Sequence, residues 1–297
     1  MSNPKFAWCD GIVPWEDATC HVSSLAFKYG AAVFEGIRAY WDGSNLCIWQ
    51  LNEHLARLEK GQRFMRFETP FSADHVADAI KQTLNANEFR ANVHITATAF
   101  LSGPGQPFLC DPASLAITAM ARGDFATDGL RVQVSSWRRA SDAAQPQRIK
   151  SNGNYLNGRL AAVQARVDGY DTALMLGQDG KVSEGPAMCF FMVRNGVVIT
   201  PDQQSDILES ITRDTMITLL REAGHTVQER KVDRSELAMA DEAFFCGTAW
   251  EVAPIHSIDG LAMPAGSPGP ITQTLRSQFD ALTQGTDTSH PEWRTYL

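Results

Sequence analysis

The chain has 297 residues, of which 44% are hydrophobic and 20% charged, enough apolar material for one large core or two of ordinary size. Acidic residues outnumber basic ones 34 to 26 for a net charge of −8, and no run of lysine or arginine occurs, which argues against nucleic acid or an anionic membrane as partner. The six cysteines (Cys9, Cys20, Cys47, Cys110, Cys189, Cys246) show no Cys-x-x-Cys or zinc-like spacing, and no segment has signal-peptide or membrane-span character, so the expectation is a cytoplasmic protein with reduced thiols and no metal.

In chain order, residues 6–13 read as a hairpin around Asp10-Gly11, and 31–40 and 46–50 as short strands. Asn52 is expected to cap a helix that places Leu55, Leu58, Phe64 and Met65 near helical spacing, and Ser72 a second helix running to about Asn87. The β-prone runs 93–101 and 114–121 complete a smaller N-terminal α/β domain over 1–122. A small, polar, glycine-containing linker follows at 123–130, and 131–297 forms a larger C-terminal domain. That domain is expected to hold a helix at 155–167, a strand at 172–176, and two strands flanking Asn195-Gly196. Ser210 precedes an amphipathic helix carrying Ile211, Met216, Leu219 and Leu220, which Gly224 ends. A short helix near 235–239, a strand at 243–246, an Asp259-Gly260 hairpin and a Pro/Gly loop at 265–270 lead into the last helix. The sum is a mixed α and β protein of two domains.

Several residues could do chemistry. Lys150 lies in Arg148-Ile-Lys-Ser-Asn-Gly-Asn-Tyr-Leu-Asn157, a turn-rich approach to a helix. A lysine amine is a nucleophile only when unprotonated, so a site that uses one lowers its pKa or holds it as a Schiff base; read alone, the segment is an ordinary solvated loop. The start of Ser210-Ile-Thr-Arg-Asp offers main-chain donors and two hydroxyls to a phosphate, or is simply a capped surface helix. Gly247-Thr248-Ala249 offers a second set of donors, or a tight strand exit. Glu184 in Val-Ser-Glu-Gly-Pro could keep a ring nitrogen protonated, or be an exposed hairpin acid. Arg57 sits on the first helix, where its ordinary partner is Glu53 one turn earlier.

Taken in order, these segments resemble the class IV pyridoxal-phosphate aminotransferases, nearest to the branched-chain amino acid aminotransferases. The resemblance covers nearly the whole chain: Tyr29-Gly-Ala-Ala-Val-Phe-Glu-Gly-Ile-Arg-Ala-Tyr40, Glu53-His-Leu-Ala-Arg-Leu58, Lys150-Ser-Asn-Gly-Asn-Tyr155, Ser183-Glu-Gly185, Ile211-Thr-Arg-Asp214 and Cys246-Gly-Thr-Ala249. It implies a mixed α/β (α+β), two-domain, fold type IV enzyme, D-amino acid aminotransferase-like, with pyridoxal 5′-phosphate as cofactor. By that resemblance Lys150, carried by the larger domain, forms the Schiff base and moves the substrate proton. Glu184 holds the pyridine nitrogen protonated, and Tyr155 bonds the cofactor's phenolic oxygen. Arg57 with Ile211, Thr212 and Thr248 binds the phosphate, and Leu208 and Gly247 complete the cofactor set. Tyr29, Phe34, Gly36, Arg38, Asn92, His94, Thr248 and Ala249 fall on the substrate side.

The implied activity is transfer of an amino group between a hydrophobic (branched-chain or aromatic) amino acid and a 2-oxo acid, by a homodimer or larger homo-oligomer. The alternatives are a class IV D-amino acid or (R)-amine transaminase, or an aminodeoxychorismate-type lyase. A cofactor-less scaffold is disfavoured by the joint presence of Lys150, Glu184, Tyr155 and Arg57. Departures from the family pattern fall on the substrate side. Asn92 and His94 stand where a tyrosine and an arginine are usual, which points away from efficient use of 2-oxoglutarate. Glu184-Gly-Pro-Ala-Met-Cys-Phe190 replaces the family's Glu-Gly-x-Gly-x-Asn-x-Phe, Leu208-Glu-Ser210 replaces Leu-Pro-Gly, and Trp250 adds bulk where a small residue is usual.

Overall fold

The computed structural model describes residues 4–123 and 128–297, so residues 124–127 of the expected linker lie outside the described ones. By contacts the chain divides into two compact units. The first takes the described residues of Met1–Asp124 together with Ile149–Gly153 and Leu282–Leu297, and the second those of Phe125–Arg148 together with Asn154–Ala281.

The chain opens on β1 (Phe6–Cys9) and β2 (Ile12–Pro14), joined through Asp10 at φ 53° and Gly11, then α1 (Leu25–Tyr29), capped by Ser24. Next come β3 (Ala32–Trp41) and β4 (Leu46–Trp49), then α2 (Leu51–Phe64) and α3 (Ala73–Asn87). Ser72 caps α3 by accepting from His75 N, as expected. Asn52 does not cap α2; the helix begins one residue before it, after Gln50 at φ 50°, and has no side-chain cap. β5 (Val93–Leu101) and β6 (Ala113–Ala121) follow.

β7 (Leu130–Arg138), α4 (Tyr155–Val167) and β8 (Thr172–Leu176) form a parallel strand pair with its crossover helix, α4 resting Ala161 and Ala165 on Ala173 and Met175. β9 (Cys189–Arg194) and β10 (Val197–Thr200) make the Asn195-Gly196 hairpin. α5 (Ile211–Glu222), β11 (Val227–Glu229), β12 (Glu242–Gly247), β13 (Glu251–Ile258), β14 (Leu261–Ala262) and α6 (Pro270–Thr283) continue the chain. It closes on β15 (Arg294–Tyr296), a strand with no expectation from sequence, which pairs with β4.

The first unit carries an antiparallel seven-stranded sheet in the order β15-β4-β3-β5-β6-β1-β2. One face is covered by α2 and α3: Leu55, Leu58, Val76, Ile80 and Leu84 pack on Val33, Ile37, Val93, Ile95 and Ala97. Each such fully buried aliphatic side chain contributes roughly 1.5–3 kcal/mol. The second unit carries the sheet β11-β10-β9-β12-β13-β7-β8, parallel at β10/β11 and from β13 through β7 to β8. At its centre Phe191 stacks on Phe244 at 4.9 Å on one face and Phe190 meets Phe245 edge-on at 5.9 Å, all four buried. Among the described residues no helix is long and apolar enough to cross a membrane.

Candidate active site

In the first unit, β3 and β5 gather most of the substrate-side positions. Phe34 faces Thr98, Gly36 faces Thr96 and Arg38 faces His94. Side chains alternate across a strand, so Val33, Glu35, Ile37 and Ala39 turn toward the helices while Phe34, Gly36, Arg38 and His94 share the opposite face. Lys150 joins this strand from far along the chain. Phe34 N donates to Lys150 O at 3.0 Å, and Ser151 forms a bridge with Val33. These contacts place the lysine segment with the smaller unit, whereas its sequence position suggested the larger. Gly30 at φ +67° permits the approach, since a Cβ there would sit 3.2 Å from Gly153 Cα. The half-buried Lys150 Nζ lies 5.0 Å from the Phe34 ring centroid.

His94 lies against Gly36, where an added Cβ would be 3.2 Å from His94 Cε1. Its Nδ1 is buried with no hydrogen-bond partner among the described residues. Burial, followed by the charges of Arg122, Arg38 and Lys150, pushes its pKa down to about 4, so the imidazole is neutral at pH 7. Arg38 is buried and donates from Nη1 to Arg122 O at 2.9 Å and from Nη2 to Gly123 O at 3.3 Å. Asn92 Oδ1 accepts from Trp41 N at 2.8 Å, and Tyr29 ends α1 with its ring exposed.

On the helix-covered side, Arg57 does not pair with Glu53. Its Nε and Nη2 donate to Glu35 Oε1 and Oε2, each at 2.7 Å, and His54 Nδ1 approaches Oε2 at 2.7 Å. Glu35, which holds Arg57, and His54, which contacts that carboxylate, were not singled out from sequence. A lone glutamate inside the apolar strand Ala32–Trp41, with His54 and Arg57 three apart on the next helix, was the available signal, because a buried carboxylate requires partners.

In the second unit, Glu184 is buried rather than an exposed hairpin acid. Its Oε1 accepts from Arg139 Nη2 at 2.5 Å and from Leu208 N at 3.3 Å, and Cys189 Sγ lies 3.7 Å from Oε2. Arg139 was not singled out from sequence, where it is only a basic residue just past β7. Cys189 stands directly opposite Cys246 across β9 and β12, and burial pushes the Cys246 thiol well up. Ser210 caps α5 by accepting from Arg213 N at 3.2 Å. In that first turn Thr212 Oγ1 lies 3.5 Å from Thr248 Oγ1, on the turn that Trp250 N closes onto Gly247 O at 3.0 Å. The amides of Ile211 and Thr212 have no acceptor within a helix that starts there, so hydroxyls and N–H groups converge in a cup fit for an anion. Tyr155 begins α4, and Ala249 is half-buried beside Thr248.

The first unit thus offers a half-buried amine, and the second a buried acid clamped by arginine and a helix start whose free amides could hold an anion. The chain belongs to the class IV amino-transferase family, whose model matches residues 32–258. It is 36% identical, over 98% of its length and 96% of the relative's, to the branched-chain-amino-acid aminotransferase of Pseudomonas aeruginosa. Among solved structures it is similar to the branched-chain aminotransferase of the archaeon Thermoproteus uzoniensis with norvaline, at TM-score 0.94 and 39% identity over 99% of each chain. It is also similar to the branched-chain amino acid aminotransferase of Thermobaculum terrenum in its PLP form, at TM-score 0.93 and 40% identity over 100% of this chain and 99% of the other.

Proposed function

We propose that the protein is a pyridoxal 5′-phosphate-dependent transaminase that moves an amino group between a hydrophobic, branched-chain or aromatic, amino acid and a 2-oxo acid by a ping-pong cycle. The carrying observation is membership of the class IV amino-transferase family over residues 32–258, joined to near full-length likeness to branched-chain aminotransferases. Three features of the fold support a fit to the cofactor. Glu184 is a buried acid whose position Arg139 fixes, Thr212 and Thr248 bring two hydroxyls to the start of α5, and Lys150 is an amine only half exposed to water.

When bound, the cofactor supplies an electron sink for the pair left at the substrate Cα. Lys150 would hold the cofactor through its amine and, once the substrate's amine has displaced it, the freed amine would carry the proton at that Cα. Glu184 holds the ring nitrogen protonated, with Leu208 N and Arg139 fixing the carboxylate. Tyr155 donates its hydroxyl to the phenolic oxygen. Arg57, Ile211, Thr212, Gly247 and Thr248 hold the phosphate. On the substrate side, Tyr29, Phe34, Gly36, Arg38, Asn92 and His94 face the side chain, and Thr248 and Ala249 the carboxylate. The chain acts in the cytoplasm as a homodimer or larger, on small molecules alone.

Purified protein is expected to be yellow, and Lys150→Ala colourless. Single L-leucine, L-isoleucine, L-phenylalanine, D-amino acids and (R)-amines, each added alone, then separate the chemistries. Bleaching by hydrophobic L-amino acids is the expected result, and bleaching by D-amino acids or (R)-amines alone would overturn the reading.

A further inference from the structure

Arg57 is held more rigidly than a surface phosphate binder needs to be. Its side chain is 13% exposed and that of Glu35 only 1%. Two parallel N–H···O bonds of 2.7 Å fix the guanidinium plane against the carboxylate. Burial alone would raise the Glu35 carboxyl, yet the charge and hydrogen bonds of Arg57 and the bond from His54 outweigh it and hold the group at about 2. Glu35 is therefore ionised at any working pH. Burial in turn lowers the pKa of His54, which leaves the imidazole neutral, so the proton in the 2.7 Å contact sits on Nδ1 and His54 donates to Oε2.

We infer that Glu35 is a positioning residue for the cofactor: oriented by His54, it fixes the Arg57 guanidinium so that its outer edge meets the phosphate in one geometry. The inference rests on the proposed role of Arg57 at the phosphate. Energetics favour a positioning role over a purely structural one. A buried ion pair recovers little beyond its own desolvation cost, so it is a poor device for stability alone. The pair is also electrically neutral, so Arg57 acts on an anion through directed hydrogen bonds more than through net charge. That creates opposed effects in a Glu35→Gln variant. A guanidinium no longer facing the Glu35 carboxylate attracts a phosphate more strongly, but loses the fork that aims it. The lost orientation is expected to outweigh the gained attraction, as misplacing a positioned group by about 1 Å costs up to about 100-fold in rate.

The test uses the full-length chain freed of cofactor and titrated with pyridoxal 5′-phosphate and with pyridoxal, which lacks the phosphate. The ratio of the two dissociation constants reports the phosphate contact alone, and a general loss of packing moves both constants together. Arg57→Ala is expected to collapse the ratio. Glu35→Gln is expected to lower it by about tenfold or more, with pyridoxal affinity near that of the unmodified chain. Arg57→Lys keeps the charge but not the two parallel bonds, and the same fall is expected there, which covers the case of a Glu35 variant that does not fold. An unchanged or increased ratio in Glu35→Gln or Arg57→Lys, with a collapsed ratio in Arg57→Ala, would overturn the inference alone. A ratio untouched in Arg57→Ala would overturn both the inference and the assignment of Arg57 to the phosphate.

Discussion

The charge state of His94 is set first by burial and only then by its neighbours, Arg122, Arg38 and Lys150, all of them cations that oppose its protonation. This bears on both stability and substrate. In the unfolded chain the imidazole titrates at 6.5, and in the folded chain at about 4. The unfolded state therefore binds more protons between those values, so stability falls as pH drops from 6.5 toward 4 and is flat above that window, by at most about 3 kcal/mol. Buried His54, also lowered, adds to the loss of stability as pH falls below 6.5. Glu35, moved from 4.5 to about 2, opens a second loss at lower pH. Urea midpoints measured against pH are expected to decline in both stages, and His94→Gln to flatten part of the upper one while leaving the lower unchanged. A His94→Gln profile that superimposes on that of the unmodified chain would show that His94 is not the group responsible. For substrate, a neutral His94 adds no cation of its own beside Arg38 on this face of the sheet. His94→Arg is expected to raise the rate with 2-oxoglutarate, relative to a branched-chain 2-oxo acid, by about tenfold or more. Equal relative rates would disconnect this position from acceptor choice.

At the scale of elements, α4 comes close to the loop after Glu184 at Gly158. A Cβ on Gly158 would sit 2.4 Å from Pro186 O and 3.1 Å from Pro186 Cα, which are backbone atoms that cannot swing aside. Replacing a helical glycine by alanine ordinarily gains up to about 1 kcal/mol. Here overpacking costs about 1–3 kcal/mol, so the sign reverses. Gly158→Ala is expected to lower the thermal midpoint and, by displacing Tyr155 or the Glu184 loop, to weaken cofactor binding; a raised midpoint would show that the loop yields. The same elements show what the chain made legible. α4 and β8 begin and end where periodicity and turn residues set them, and Ser72 and Ser210 cap α3 and α5 through local hydrogen bonds. The lost features are nonlocal. β15 is three residues long and exists because β4 pairs with it. Glu35 has partners 19 and 22 residues away, so its role was readable only once β3 and α2 were packed together. The start of α2 was misplaced because Gln50 adopts a left-handed conformation instead of Asn52 supplying a cap.

For the whole molecule, charge and exposed apolar surface pull in opposite directions. A net charge of −8 favours separation of copies at low ionic strength, with the repulsion screened beyond about 10 Å at 0.1 M salt. Against it stands one region of the first unit. Leu25 N donates to Gly103 O at 3.0 Å and Ser24 bridges Pro104, so the segments around α1 and before β6 are neighbours. Together they expose Val22 at 65%, Phe27 at 71% and Phe108 at 76%. Exposed large apolar side chains on two such neighbouring segments are candidates for burial against a partner. Burial of one such ring against a partner copy contributes about 1.5–3 kcal/mol, enough for a few of them to outweigh a repulsion that salt already screens. Sedimentation at micromolar concentration is therefore expected to give a mass of at least twice 32.7 kDa, with association weakening as salt is withdrawn. Phe27→Asp combined with Phe108→Asp is expected to return the protein to 32.7 kDa with its circular dichroism intact. A single 32.7 kDa species for the unmodified chain at every concentration and salt would rule out the homo-oligomer, and an oligomer that survives both substitutions would move the interface to another face.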